Sequence, residues 1–211
     1  MRKSEIIILG IILISFIIGI YFYAQMPSMM ASHWNAQGEV DGYISRFWGT
    51  FLFPIILVGL LILFTFIPKI DPLKENIKKF RKYFDTFIIL ITIFLSYIYC
   101  LTLFWNLGKR FDMNILIMPA IGIIFYYSGV LMENSKRNWF IGIRTPWTLS
   151  SENVWDKTHK IGTKIFKIAG IISFIGILFG KYATFLVLGL AIFGSIYTIV
   201  YSYFEYKKEK I

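Results

Sequence analysis

Two stretches of this 211-residue chain carry side chains able to do chemistry. The first, QMPSMMASHWNAQGEVDGYISR at residues 25–46, brings His33, Glu39 and Asp41 close together. One imidazole and two carboxylates are metal-ligand types, but a single His with two acids off helical spacing is a poor zinc set. The second, NWFIGIRTPWTLSSENVWDKTH at residues 138–159, offers Arg144 to grip a phosphate or carboxylate and His159 to exchange a proton. No Ser or Cys nucleophile and no carboxylate pair stands in a visible relation to His159. No catalytic residue, metal or cofactor is therefore assigned.

The elements that must position these stretches are apolar. The chain is 57% hydrophobic and 16% charged, against about 25% charged in a soluble domain, and its mean hydropathy is +0.65. The excess comes in blocks, as in an integral membrane protein. A spanning helix needs about 20 mostly apolar residues, and six segments qualify: 5–24, 47–67, 86–107, 115–132, 162–180 and 183–203. The first is too long for a signal-peptide core and lacks a small-x-small cleavage site, so it reads as a retained anchor. All but Arg46, Lys109, Arg110 and Lys181 of the 22 Lys and Arg fall on one side of this arrangement. By the positive-inside bias that side, with both termini, is cytoplasmic. The same bias accounts for the net charge of +10 without direct nucleic-acid binding. Cys100, the one cysteine, forms no internal disulfide.

No block has an ionisable residue near its centre, where such groups are costly and usually functional. That argues against an ion-coupled carrier and an intramembrane protease, and turns attention to the loops. On the outer side, Asn35-Ala36-Gln37-Gly38 and Asp41-Gly42 read as turns, with His33, Trp34 and Tyr43 forming a cap at the interface. This loop is the natural surface for an extracellular ligand, through His33, Trp34, Asn35, Glu39, Asp41 and Tyr43. On the inner side, PKIDPLKENIKKFRKYFD suggests a short basic helix after Pro72. Pro54 and Pro119 kink or end their helices, residues 180–182 make a tight outer turn, and Gly176 and Gly180 form a small-xxx-small pair.

Within the inner stretch, Gly142 permits unusual backbone angles and Thr145 before Pro146 is pushed to an extended conformation. Ser150 is the expected N-cap of a helix running into the fifth span. Along that helix Lys157, Lys160, Lys164 and Lys167 share one face, directed at anionic lipid of the inner leaflet. Asn138, Arg144, Thr145, Pro146, Trp147, Trp155 and His159 form a platform for a partner or lipid. The competing reading is structural: Arg144 satisfies carbonyls, the Trp residues belt the interface, and His159 packs on a neighbouring helix.

Residues 138–162 resemble the signature of the SdpI family of immunity membrane proteins, on Asn138, Gly142, Ile143, Arg144, Thr145, Pro146, Trp147, Thr148, Leu149, Ser150, Trp155, Thr158, His159 and Gly162. The outer loop is similar to the short N-terminal domain of unknown function that accompanies it, on Pro27, His33, Trp34, Asn35, Gly38, Glu39, Asp41, Gly42 and Tyr43. The resemblance implies a multi-pass cell-membrane protein that protects its cell from a secreted toxic peptide, and a cytosolic repressor as a second partner. The alternative function is a membrane-embedded enzyme or lipid-binding protein acting at the Arg144 loop. The expected fold is an all-α bundle of six transmembrane helices with both termini inside. It divides into residues 1–46 (the N-terminal domain reaching about residue 67), the spans of 47–132, and the signature loop with the last two spans at 133–211.

Overall fold

Backbone inside hydrocarbon must bond to itself, and a helix does so within one segment, so the apolar blocks fold as long helices. The computed structural model describes residues 2–176, 178 and 182–210. The elements are α1 (Lys3–Tyr23), β1 (Met29–Trp34), β2 (Val40–Ser45), α2 (Arg46–Ile70), α3 (Lys74–Lys79), α4 (Arg81–Asn106), α5 (Met113–Asn134), α6 (Pro146–Ser150), α7 (Glu152–Gly176) and α8 (Ala183–Glu209). Among the described residues five helices are long and apolar enough to cross a membrane: α1, α2, α4, α5 and Phe185–Glu209 of α8. Helix α7 stands where the fifth of the six expected spans was placed, but Lys160, Lys164 and Lys167 shorten its apolar run. The expected end of that span at Gly180, the turn at 180–182 and the Gly176/Gly180 pair fall wholly or partly outside the described residues.

Contacts at the helix ends sort the loops. Arg2 lies 4.0 Å from Asp85, Asp71 accepts from Trp139 N–H at 2.9 Å, and Asn76 donates to the Arg137 carbonyl at 2.9 Å. The Asn153 amide meets the Glu209 carboxylate. Both termini therefore sit at the same end of the bundle as the 138–159 loop.

The opposite end corrects the all-α expectation. Residues 29–45 form an antiparallel hairpin pairing Met29 with Ser45, Met30 with Ile44, Ala31 with Tyr43 and Trp34 with Val40. Asn35–Gly38 is the turn, closed by Gly38 N–H to Asn35 C=O at 2.9 Å. Asp41-Gly42, expected as a second turn, lies inside β2. Gly42 is required there because a Cβ would come 2.9 Å from the His33 Cβ on the paired strand.

Pro54 and Pro119 lie inside α2 and α5. The basic segment after Pro72 forms the expected short helix, the six-residue α3, held down by buried Ile77 and Phe80 in the same core cluster as Ile8, Ile12 and Leu57.

The closest helix pairing is α5 with α7. A Cβ on Gly170 would come 2.6 Å from Tyr126 N and 2.7 Å from Gly122 O, so the backbones touch where small residues meet. The Thr163 hydroxyl donates to Gly129 C=O at 3.2 Å across the same seam. Gly170→Ala is expected to destabilise the protein by about 1–3 kcal/mol through overpacking. Gly10→Ala, with nothing within 4 Å, should be neutral or stabilising by up to about 1 kcal/mol. Thermal unfolding in detergent of the two variants checks the opposite signs.

Candidate functional site

The hairpin is clamped to helix ends by asparagines. The Asn106 amide accepts from Ala31 N–H at 2.8 Å and donates to Ala31 C=O at 3.0 Å, so β1 docks on the last turn of α4. Asn114, at the start of α5, donates to the carbonyls of Asn35 at 3.0 Å and Ala36 at 3.2 Å. Buried Met30 fills the space over Gly49, where a Cβ would come 2.7 Å from its sulfur.

This framework places the six outer candidates. His33 Nδ1–H donates to Asp41 Oδ1 at 2.5 Å, so the His partner is a carboxylate across the strand pair. Glu39 instead accepts from the Asn35 side chain at 3.3 Å, and the Asn35 Oδ1 caps the turn through Gln37 and Glu39 N–H at 2.9 Å. The metal trio of His33, Glu39 and Asp41 is thus split between two contacts. Trp34 packs edge-on to Trp105 at 5.5 Å, and Arg110 lies 3.5 Å over the Trp105 ring. Tyr43 is 60% exposed on the free side.

At the other end, the chain leaves α5 and must bond its own backbone through a buried turn. Asn138, fully buried, does most of this: its Oδ1 accepts from Phe140 N–H at 3.0 Å and Ile141 N–H at 2.6 Å. Its Nδ2 donates to Lys136 C=O at 2.8 Å and Ile141 C=O at 2.9 Å. Gly142 follows at φ +106°, where a Cβ would run into His159 Nε2. Thr145 is extended, as the following Pro requires, and caps α6 through Thr148 N–H at 3.1 Å. The Thr145 hydroxyl lies 3.0 Å from that of Ser202 on α8. Pro146 opens α6, and Trp147 packs at 5.1 Å on Tyr203 of α8.

The cap of α7 is one residue later than expected. Ser151 accepts from Val154 N–H at 3.2 Å, while the Ser150 hydroxyl folds back to Pro146 C=O at 2.6 Å. The four lysines do not all face lipid: Lys157 pairs with Glu205 of α8 at 3.0 Å and Lys167 with Glu133 of α5 at 2.6 Å.

His159 and Arg144 are not brought together as a catalytic pair. The His159 ring stacks on Trp155 at 4.0 Å, and both residues are buried. Its Nε2 accepts from Ile143 N–H at 3.0 Å and its Nδ1–H donates to Trp155 C=O at 2.9 Å. Trp155 in turn donates to Ser135 C=O at 3.3 Å. Burial pushes the His159 pKa from 6.5 down to about 4, only partly opposed by the Trp155 carbonyl. The neutral imidazole is therefore a structural pin between α7 and the loop. Arg144 is exposed and donates to Trp139 C=O at 3.2 Å.

The geometry of this loop coincides with a known signature. The family model described as the SdpI/YfhL protein family matches residues 134–202, from the last residue of α5 into α8. Residues 134–202 are thus similar to the SdpI/YfhL family. A second model, the domain of unknown function DUF1648, matches residues 10–58 and spans the hairpin. The immunity protein SdpI of Bacillus subtilis (strain 168) is 26% identical over 207 residues, covering 98% of this chain and 97% of that protein. No solved structure matches the chain. Several residues that hold the 138–159 loop and the hairpin were not among the sequence candidates: Asp71, Asn76, Asn106, Asn114 and Ser202. Asp71-Pro72 and the helix-terminal asparagines carry a turn signal, but their partners lie 57 to 79 positions away.

Two outcomes follow. A folded-state His pKa below the unfolded value means the unfolded chain binds more protons between those values, so stability present above about pH 6.5 is lost as pH falls towards 4. Acidification from pH 7 to 5 should remove about 2 kcal/mol through this residue, and His159→Gln should remove that part of the slope, read by thermal unfolding against pH. Asn106→Ala should speed amide exchange across β1 about tenfold or more while leaving the helices protected, read by hydrogen–deuterium exchange.

Proposed function

We propose that this chain is a membrane immunity protein that protects its cell from a secreted antimicrobial peptide. The observation that carries the reading is the end-to-end match to a protein named for immunity, across 98% of this chain. In this reading the chain crosses the membrane six times, α7 included, with both termini and the 138–159 loop in the cytoplasm. The division of labour is an N-terminal unit to about residue 67, intermediate spans, and the signature region from residue 133.

The peptide meets the hairpin, whose exposed His33, Glu39, Asp41 and Tyr43 carry mixed charge and an aromatic ring beside the Trp34–Trp105 pair. Because β1 is bonded to the end of α4 and the turn to the start of α5, peptide contact has a short path into both helices. Helix α5 leads to the Asn138 turn, whose outer surface, with Arg144, Pro146 and Trp147, is the docking platform for a cytosolic repressor. Coupling requires the peptide to bind one packing of these helices more tightly than another. The enzyme reading at Arg144 is less well supported, since both nitrogens of His159 are engaged by backbone groups.

The experiment is survival of Bacillus subtilis lacking its own immunity protein, challenged with the peptide that protein protects against. The full chain should restore growth, and His33→Ala/Tyr43→Ala should lose protection about tenfold or more while still inserting at wild-type levels. Full protection by a chain lacking residues 28–43 would contradict the hairpin assignment.

A further inference from the structure

A cleft of about 450 Å³ opens between the last turn of α5 and the middle of α7, lined by Lys136, Lys160, Lys164 and Lys167 with Glu133 and Asp156. Its charges are not balanced. Lys167 is paired with Glu133, but Lys136, Lys160 and Lys164 have no ion pair among the described residues, and Asp156 is the one acid left to them. On the other flank of α7 the lysine has a carboxylate partner, since Lys157 meets Glu205 at 3.0 Å, a carboxylate that Lys208 also reaches at 2.7 Å. Three lysines without an ion-pair partner among the described residues thus gather in the α5–α7 cleft.

Directly along the helix from Lys164 the surface becomes apolar. Ile168, Ile171 and Ile175 follow at four, seven and eleven residues, on the same helix face, and are 53%, 51% and 47% exposed. The stripe extends about 16 Å from Lys164. A trio of free ammonium groups at one end of a bare aliphatic track matches an anionic amphiphile.

We propose that this cleft binds the phosphodiester headgroup of an anionic membrane phospholipid, with an acyl chain lying along Ile168, Ile171 and Ile175. The lysines supply charge-assisted hydrogen bonds to the phosphate oxygens; the isoleucines exclude a purely soluble anion as the best ligand, because phosphate alone leaves them bare. The proposal rests on the chain crossing a membrane, and neither on the immunity reading nor on which side the cleft faces. It also gives α7 a reason to keep three lysines at the boundary of its apolar half, where they shorten the span.

The test uses the purified full-length protein in neutral detergent, with lipid adducts counted by native mass spectrometry. Phosphatidylglycerol is titrated against phosphatidylcholine, with inorganic phosphate and glycerol 1-phosphate as soluble competitors. Wild type should retain phosphatidylglycerol preferentially. Each of Lys136→Gln, Lys160→Gln and Lys164→Gln should weaken it about fivefold and the triple variant about a hundredfold. Lys157→Gln should leave it unchanged, and ionic strength of about 1 M should weaken the wild-type complex. A folded triple variant that keeps the wild-type preference, or a wild type that binds both lipids equally, overturns the proposal. Competition by inorganic phosphate at equal affinity overturns the lipid assignment in favour of a bare anion site. If the triple variant does not fold, the single variants and the salt dependence decide between the same outcomes.

Discussion

Where the chain stops being helical between α5 and α7, it must still satisfy its backbone in a buried setting, and that requirement organises the signature end of the protein. Asn138 makes four hydrogen bonds within a single turn. Asp71, also buried, uses one oxygen for Trp139 N–H and the other for Leu73 N–H at 2.6 Å. His159, Thr145 and Thr148 take up further donors and carbonyls. Leaving such a group unpaired costs about 1–3 kcal/mol, so the polar residues here act as one set. They tie the α2–α3 corner, α7 and α8 to one junction.

The hairpin end obeys the same rule with different parts. Its strands pair with each other, and the carbonyls left over at the turn are claimed by Asn114, while Asn106 claims both backbone groups of Ala31. Between these two ends the helices touch through glycines along the α5–α7 seam, a form of contact that shifts between discrete packings more readily than it deforms. Helix α5 belongs to both ends, from Asn114 beneath the hairpin turn to the junction at Asn138.

Much of this was legible from the residues. Apolar run lengths located α1, α2, α4, α5 and α8 with ends within about six positions but began the fifth span ten residues inside α7, Gly142 and Thr145-Pro146 marked the break, and the unusual composition of 25–46 marked the loop that forms the hairpin. The hairpin was harder to see because Met29–Trp34 lacks strict alternation and carries a bulge at His33, and because it docks on Asn106, more than seventy residues away. Asp41-Gly42 looked like a turn because its residue types favour one, yet Gly42 is there to make room for His33. Of the two readings of His159, proton exchange or packing on a neighbouring helix, the fold favours the packed one, since both its nitrogens are engaged by backbone groups. The pairing of Lys157 and Lys167 was invisible because Glu205 and Glu133 sit on other helices. Helix α7 falls short of the expected fifth span for a physical reason: Lys160, Lys164 and Lys167 interrupt its apolar run.

The account stands on the hairpin and the Asn138 junction lying on opposite faces of the membrane, hairpin outside. Single cysteines at positions 43 and 144, introduced with Cys100→Ser, test this by labelling with a membrane-impermeant maleimide. The prediction is labelling at 43 in intact cells and at 144 only after lysis. Labelling of both from the same side would contradict it.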